Sequence, residues 1–268
     1  MNIKVISQYD HLPNHHPKDG ETCPRLYVDE GIWTAQLDDP APTDMLMLIE
    51  PRCLQSQNYD IAMTGYSRFR HIFTHDSQLL SLAPNALPIY YWRDYELKDC
   101  QNKTKGISMI CGKKQMCPIH VERIKLADRI CNKVNVLGDL YGERCSIDEA
   151  YSDYRFAVIV ENYRDDWWFT EKILNCFSHK TIPIYYGARN ISHVFNGRGI
   201  IEVQSFWNIP DIIDILLEKG LDSEYKQRIG AINNNYNIVQ EYLNFEDYFF
   251  TQYGYLMDEL GGELGCIS

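Results

Sequence analysis

Residues 154–187 decide the fold, and they read YRFAVIVENYRDDWWFTEKILNCFSHKTIPIYYG. The stretch begins with an apolar run at 156–160, which is typical of a strand buried on both faces. A polar and aromatic loop follows, then a helical pattern from Thr170, and then a second apolar run, Ile182–Tyr186, which Gly187 ends. Strand, helix and strand in this order predict a βαβ unit with parallel strands.

Polar residues collect at the end of this unit where a ligand would bind. Ligands of parallel sheets bind beyond the carboxyl ends of the strands, and Glu161 and Asn162 follow the first strand directly. Thr170 is a predicted N-cap, which places Glu171 and Lys172 in the first helical turn. A lysine there opposes the helix dipole, but a bound phosphate would favour it. The pattern therefore leaves two interpretations of Lys172, a phosphate ligand or a solvated lysine beside a carboxylate.

These motifs resemble the donor-binding motif of the α-1,3/1,4-fucosyltransferases, glycosyltransferase family 10. The shared features are the apolar strand, the Glu-Asn pair, the Thr-Glu-Lys helix start and the proline-containing strand that ends in Gly187. Two positions differ, since Tyr163 stands where the family usually has Ser and Trp168 where it usually has Tyr. Both lie where the nucleotide sugar is expected. A transferase of this fold with another donor therefore stays open, as does a non-catalytic protein that recognises glycans through Trp167 and Trp168.

The resemblance implies an α/β fold with two Rossmann-like domains facing across a cleft, the GT-B architecture. It also implies an inverting glycosyltransferase that transfers fucose from GDP-fucose to a hydroxyl group of a glycan acceptor. A polar run at 94–105 without an apolar period predicts the linker. We therefore place an N-terminal acceptor-binding domain at 1–100 and a nucleotide-sugar domain at 101–245. A C-terminal helix at 246–268 could return to the first domain.

A candidate general base follows the predicted strand at 45–49. Glu50 stands there, and by its order in the chain it corresponds to the proposed catalytic glutamate of the bacterial fucosyltransferases. Glycosyl transfer needs such a base, because a sugar hydroxyl is a poor nucleophile until its proton is accepted. His75, after the predicted strand at 70–74, is the second candidate. A surface glutamate at a strand end is the alternative interpretation of Glu50.

The diphosphate of the donor calls for cationic partners. Arg123, on the predicted helix at 118–131, corresponds by position to the family's arginine that pairs with the diphosphate, and Arg129 is the second candidate. A surface arginine is the alternative. Lys172 would share the phosphate, while Glu171 is suited to ribose hydroxyls. The donor-binding residues that the resemblance implies are Arg123, Glu161, Asn162, Trp168, Glu171 and Lys172.

Several cofactor and metal motifs are missing from the sequence. No G-x-G-x-x-G occurs in the sequence. A P-loop is excluded as well, because residues 106–112 lack its glycine spacing and Lys114 stands where a P-loop has Ser or Thr. His11, His15 and His16 have no acidic or cysteine ligand at convincing spacing. No strict Asp-x-Asp occurs either, which agrees with cationic side chains in place of a metal. We therefore expect no metal and no cofactor, the nucleotide sugar being a substrate.

Composition limits the partners and the compartment. The net charge of −11 disfavours nucleic acid, since phosphate contacts dominate that affinity. No apolar run reaches the roughly 18 residues of a membrane span, and the first ten residues, MNIKVISQYD, hold no apolar signal core. Nine cysteines without a C-x-x-C pair indicate reduced thiols. The sequence therefore predicts a cytoplasmic protein, similar to the soluble bacterial-type members, with a nucleotide sugar and a glycan acceptor as partners.

The remaining apolar patterns predict further elements around the βαβ unit. Strands are predicted at 3–6, 45–49, 70–74, 87–92, 107–110, 134–137 and 199–203. Helices are predicted at 118–131, 148–153, 191–195, 209–219, 223–243 and 245–260.

Overall fold

The computed structural model describes residues 3–8, 23–92, 96–242 and 244–265, without the side chains of 257–265. The chain forms two compact units, one of Met1–Tyr91 with Asn244–Ser268 and one of Trp92–Leu243. The sequence places the corresponding boundaries at 100 and 245. His11, His15 and His16 lie outside the described residues.

The two units contain parallel strands that alternate with helices. In chain order the elements are β1 (Lys4–Ile6), β2 (Arg25–Val28), α1 (Gly31–Asp38), β3 (Met45–Leu48), α2 (Arg52–Gly65), β4 (Ile72–Thr74), α3 (Ser77–Leu82), β5 (Ala86–Pro88), β6 (Lys105–Ile110), α4 (Pro118–Ile130), β7 (Asn135–Leu137), α5 (Ile147–Tyr151), β8 (Tyr154–Val160), α6 (Glu171–Ser178), β9 (Ile182–Tyr186), α7 (Ile191–Val194), β10 (Ile201–Glu202), α8 (Ile209–Lys219), α9 (Leu221–Ile238) and α10 (Phe245–Gly265).

The first unit is built on a five-stranded parallel sheet with the order β1-β2-β3-β4-β5. Its middle strand, β3, has the sequence MLML, and all four side chains are fully buried. Helix α10 belongs to the same unit. Phe249 packs edge-on against Phe73 of β4 with ring centroids 5.0 Å apart, and the Tyr248 hydroxyl accepts a hydrogen bond from the Tyr90 N–H. The aromatic face of α10 is therefore part of this core.

The second unit contains the βαβ motif that opens the sequence analysis. Its five parallel strands have the order β10-β9-β8-β6-β7, and Phe156 of β8 pairs with Ile182 of β9. Strand β6 lies between β7 and β8. The chain therefore leaves β6 in one direction for β7 and returns past it to β8, which makes the carboxyl ends of β6 and β8 the topological switch point. Crevices at such points bind ligands in open α/β sheets.

The fold class predicted from the sequence, two Rossmann-like α/β domains, is confirmed. Helix α8 has the predicted bounds, and α4 ends one residue before its predicted end. The pattern analysis missed α2, whose sequence RCLQSQNYDIAMTG is mostly polar and buries only Asn58, Tyr59 and Ala62. It also missed β2, in which Leu26, Tyr27 and Val28 are fully buried. No helix in the described part of the chain is both long and apolar enough to cross a membrane.

Candidate functional site

The carboxylate of Glu161 holds the start of α6. It is fully buried directly after β8, where Oε1 accepts a hydrogen bond from the Thr170 N–H at 2.9 Å and Oε2 accepts one from the Thr170 hydroxyl at 2.8 Å. The Thr170 hydroxyl also accepts a 3.4 Å hydrogen bond from the Lys172 N–H, as expected of an N-cap. The side chain of Glu161 thereby links the end of β8 to the start of α6.

Gly187, which ends β9, is required by the close approach of this carboxylate. A Cβ atom at position 187 would lie 2.6 Å from Cγ of Glu161 and 2.3 Å from the hydroxyl oxygen of Tyr185. That hydroxyl also accepts a hydrogen bond from the Ala188 N–H at 3.0 Å. The glycine in the motif therefore leaves room for the buried carboxylate.

Lys172 completes the hydrogen-bond network of Glu161 and Thr170 and supplies a positive charge to it. Its Nζ lies 3.2 Å from Oε2 of Glu161, 2.9 Å from the Thr170 hydroxyl and 3.7 Å from Oε1 of Glu171. Burial acts to lower the pKa of Lys172, but the attraction of Glu161 and Glu171 outweighs it, so the pKa lies above its usual value. One quarter of the side chain stays exposed. Lys172 is thus a cation held in place with one side open.

A cavity of about 470 Å³ lies beside the exposed part of the Lys172 side chain. It is bounded by the ends of β6 and β8 (Ile110 and Val160), by Gly138 after β7, and by the first turns of α6. Its charged lining residues are Lys114, Arg123, Asp139, Arg144, Glu171 and Lys172. Four cations against two acids give this cavity a positive surplus in a protein whose net charge is −11. The site therefore suits an anionic ligand.

Arg123 and Asn162 meet beside this cavity. The Arg123 Nη1 donates to the Asn162 Oδ1 at 3.3 Å, and the Asn162 carbonyl oxygen lies 3.8 Å from Sγ of Cys117. Nε of Arg123 is buried and makes no hydrogen bond to any described residue. The structure therefore brings Arg123, Glu171 and Lys172 to one cavity. Asn162 holds Arg123 in place, and Glu161 holds Lys172.

Trp168 has a different environment. Its side chain is 3% exposed and meets the ring of Tyr163 edge-on, with centroids 6.3 Å apart. It is not among the lining residues of the cavity. The two positions that differ from the usual family pattern are thus packed on each other, and a donor contact of Trp168 stays a prediction.

Glu50 lies in the first unit, just past the end of β3. The Glu50 N–H is 3.3 Å from Oδ1 of Asp29, which accepts the Ile49 N–H at 2.9 Å as well. The Glu50 carbonyl oxygen accepts the Tyr59 hydroxyl at 2.6 Å, and that hydroxyl lies 3.0 Å from Nε2 of His75. The Glu50 side chain is partly exposed, whereas His75 is buried. Of the two candidate bases, Glu50 is therefore the more accessible.

Asp29 is an unusual buried acid at the end of β2. It is fully buried with φ of 47°, and its backbone N–H donates to the Met47 carbonyl oxygen. Burial raises the pKa of Asp29 to about 8; the hydrogen bond from the Ile49 N–H opposes this rise, and the charge of Glu50 adds to it. Between pH 4 and 8 the folded protein thus keeps a proton on Asp29 that the unfolded chain has lost.

We expect the free energy of unfolding to depend less on pH in the Asp29→Asn variant than in the wild type. A raised carboxyl pKa stabilises the fold at low pH, and this stabilisation is lost as the pH rises through the folded-state value. The slope is at most about 1.4 kcal/mol per pH unit for one proton. Urea unfolding between pH 4.5 and 8.5 should show a falling free energy of unfolding for the wild type and a smaller fall for the variant. Equal slopes in both proteins would contradict the assignment of the proton to Asp29.

The Glu161→Gln variant should be less stable, because it leaves Lys172 without its buried partner and turns one acceptor into a donor. We expect a loss of roughly 2 kcal/mol, discounted for the exposed part of Lys172. The matched control is Asp214→Asn at the exposed pair with Lys133, where the N–O distance is 2.5 Å. The control should cost less than about 0.5 kcal/mol. Equal losses in urea unfolding would remove Glu161 from this structural role.

Sequence reasoning missed five polar residues around the two candidate sites. These are Asp29 near Glu50, and Lys114, Asp139, Arg144 and Asn175 in the cavity lining. Lys114 and Arg144 follow strands, which is the signal that could have identified them. Asn175 and Asp29 give no such signal, because their burial depends on the packed structure. Among the described residues, no group of three or more His, Cys, Asp and Glu side chains could hold a metal ion.

The fold of this chain is that of solved GT-B glycosyltransferases. An α1,3-fucosyltransferase crystallised with GDP aligns with 80% of this chain and 71% of its own, at 15% identity and a TM-score of 0.52. TarM aligns with 87% of this chain and 54% of its own, at 12% identity and a TM-score of 0.56. At these identities the likeness shows the shared architecture.

The family follows from the sequence comparison. Residues 100–253, more than half of the chain, match the model of glycosyltransferase family 10 (fucosyltransferase), C-terminal part. This chain therefore belongs to glycosyltransferase family 10. The α-(1,3)-fucosyltransferase FucT of Helicobacter pylori is 33% identical over 69 residues, 26% of this chain and 14% of the relative. The α-(1,4)-fucosyltransferase of Arabidopsis thaliana is 28% identical over 91 residues, 32% of this chain and 23% of the relative. Both alignments span less than a quarter of the relative.

Proposed function

We propose that this chain is an inverting glycosyltransferase that transfers fucose from GDP-fucose to a hydroxyl group of a glycan acceptor. The observation that carries the proposal is the cavity at the switch point, which Arg123 of α4 and Lys172 in the first turn of α6 both line. Membership of the fucosyltransferase family supports the reaction class. We further propose a cytoplasmic protein that needs neither a metal nor a cofactor.

Glu50 and the cationic residues carry out different parts of the proposed reaction. The acceptor oxygen forms a bond to the anomeric carbon while the bond from that carbon to the diphosphate oxygen breaks, and GDP leaves with the electron pair. Glu50 accepts the proton of the attacking hydroxyl. In-line displacement inverts the configuration at the anomeric carbon. Arg123 and Lys172 neutralise the charge that grows on the departing diphosphate, which is worth several kcal/mol when the donors are preorganised.

The preorganisation of Lys172 comes from the residues around it. Glu161 and Thr170 hold its ammonium group before any ligand is bound, so little side-chain entropy remains to be lost. The first turn of α6 adds backbone N–H groups and the positive end of the helix dipole. Glu171 points a partly exposed carboxylate at the same cavity, where it suits ribose hydroxyls.

A transfer assay tests the proposed function. Purified protein is incubated with GDP-fucose and a panel of short acceptors that contain galactose and N-acetylglucosamine, and the products are analysed by mass spectrometry. We expect one acceptor to gain a deoxyhexose and an equal amount of GDP to appear. Parallel reactions with UDP-N-acetylglucosamine and GDP-mannose test the choice of donor. The absence of transfer from GDP-fucose to every acceptor would contradict the proposal.

A second candidate is a transferase of the same family with a different nucleotide sugar. The observation that favours it is the Tyr163–Trp168 contact, which occupies the two positions where the family usually has Ser and Tyr. Thermal shift with GDP, UDP and ADP separates the candidates. The largest rise in melting temperature should come from GDP, whereas a larger rise with UDP would favour the second candidate.

A further inference from the structure

We propose that the side-chain amide of Asn175 contacts the nucleobase of the bound donor. Asn175 lies on α6 one turn after Glu171, and it lines the same cavity. This inference rests on the proposed function, since it assigns a residue to the nucleoside part of the donor. Neither the motif nor the resemblance identifies this position.

The first observation is an unpaired polar group in a buried place. Asn175 is 1% exposed, and its Oδ1 has no hydrogen-bond partner among the described residues. The backbone carbonyl of Asn175, in contrast, accepts the Ser178 hydroxyl at 2.8 Å and lies 2.8 Å from Nδ1 of His179. An unsatisfied buried acceptor costs about 1–3 kcal/mol, and such groups are rare in folded proteins. A ligand that supplies the missing donor would remove this cost.

The second observation is the order of residues along the cavity. Lys172 and Glu171 occupy the first turn of α6, where the diphosphate and the ribose would bind. Residues four apart on a helix are neighbours on one face, so Asn175 follows Glu171 on the side away from the helix start. In a nucleoside diphosphate the group beyond the ribose is the base. The amide of Asn175 therefore lies one turn beyond the carboxylate that we assign to the ribose, on the same face of α6, where the base would follow.

The surroundings of Asn175 in the cavity suit a planar base. Helix α5, which packs beside α6, contributes Ile147 and the buried Tyr151 to the cavity lining. An apolar and aromatic wall with one amide provides area for the ring and a group that can both donate and accept. In guanine, N1–H stands next to the O6 acceptor, so one carboxamide can bond to both. The amide thus has a complementary edge in the donor that we propose.

The test compares Asn175→Leu with the wild type by calorimetric titration of GDP, 2′,3′-dideoxy-GDP and inorganic pyrophosphate. Leucine has a similar size but no polar group. We expect Kd to rise about tenfold for GDP and equally for the dideoxy compound, and to stay unchanged for pyrophosphate. The melting temperature of the ligand-free variant should not fall, because the lost amide has no partner. The matched control is Asn233→Leu, an exposed amide on α9.

Four results would overturn the inference. One is an unchanged affinity of the Asn175→Leu variant for GDP, and another is an equal loss for pyrophosphate, which would indicate a general disturbance of the site. A loss that vanishes with the dideoxy compound would place the amide on the ribose. If the wild type binds no nucleoside diphosphate, the proposed function fails as well. Wild-type binding of GDP without any fucosyl transfer would instead refute the proposed function alone.

Discussion

Replacement of Glu50 by Gln should lower kcat by about 10²- to 10⁴-fold, the range typical of a lost general base. The affinity for GDP should not change, because Glu50 and the cavity in which we propose that GDP binds belong to different units of the chain. Gln keeps the size of the side chain, and the backbone contacts of Glu50 with Asp29 and Tyr59 do not involve its carboxylate. Steady-state kinetics and GDP titration measure the two quantities.

The pH profile separates a base from a merely structural residue. In the wild type, kcat/KM should fall at low pH as the base becomes protonated, and the Glu50→Gln variant should lack this acidic limb. His75, the second candidate, is buried and lies 3.0 Å from the Tyr59 hydroxyl. A Glu50→Gln variant with wild-type kcat and an intact acidic limb would exclude Glu50 as the base.

Replacement of Lys172 by Met should weaken GDP binding by roughly 10²-fold, as expected when one of two preorganised charge-assisted contacts to a diphosphate is removed. The loss in kcat/KM should be larger, because the charge on the diphosphate grows in the transition state. Met retains the packing of the lysine stem. The matched control is Lys125→Met, since Lys125 is 62% exposed and pairs with Glu122 on the surface of α4.

The buried partner of Lys172 allows a second test. The single Lys172→Met change leaves Glu161 buried with only the two hydrogen bonds from Thr170. The double variant with Glu161→Gln removes both charges, so it should recover part of the lost stability and none of the lost GDP affinity. Unchanged GDP affinity in both variants would exclude Lys172 from the phosphate site.

Local patterns predicted the βαβ unit well because its signals are short in range. Strands β8 and β9 are apolar runs whose side chains are nearly all buried, and the Thr170 side chain caps α6 as expected. Helix α2 was missed because its sequence shows no clear apolar face and buries only Asn58, Tyr59 and Ala62. Contacts with other elements of the fold hold this helix in place. An example is the hydrogen bond that Nε1 of Trp33 on α1 donates to Oδ1 of Asn58, at 2.9 Å.

The cavity shows the limit of such patterns. Lys114, Arg144 and Lys172 are separated by tens of residues, and they meet because β6 pairs with both β7 and β8. Which strands are neighbours depends on packing across the whole sheet. The resemblance therefore pointed to Arg123, Glu171 and Lys172, whereas only the structure identified the other members of the lining.

The sequence by itself determined the βαβ unit and the Thr-Glu-Lys helix start, since apolar period and capping depend on residues close together in the chain, and its resemblance to the family implied the two-domain fold class. Only the tertiary structure decided that Glu161 is buried beside Lys172, that burial raises the pKa of Asp29 near Glu50, and that Oδ1 of Asn175 has no hydrogen-bond partner in the described part of the chain. Burial and pairing set these properties, and both depend on residues that lie far apart in the chain and come together only in the folded protein.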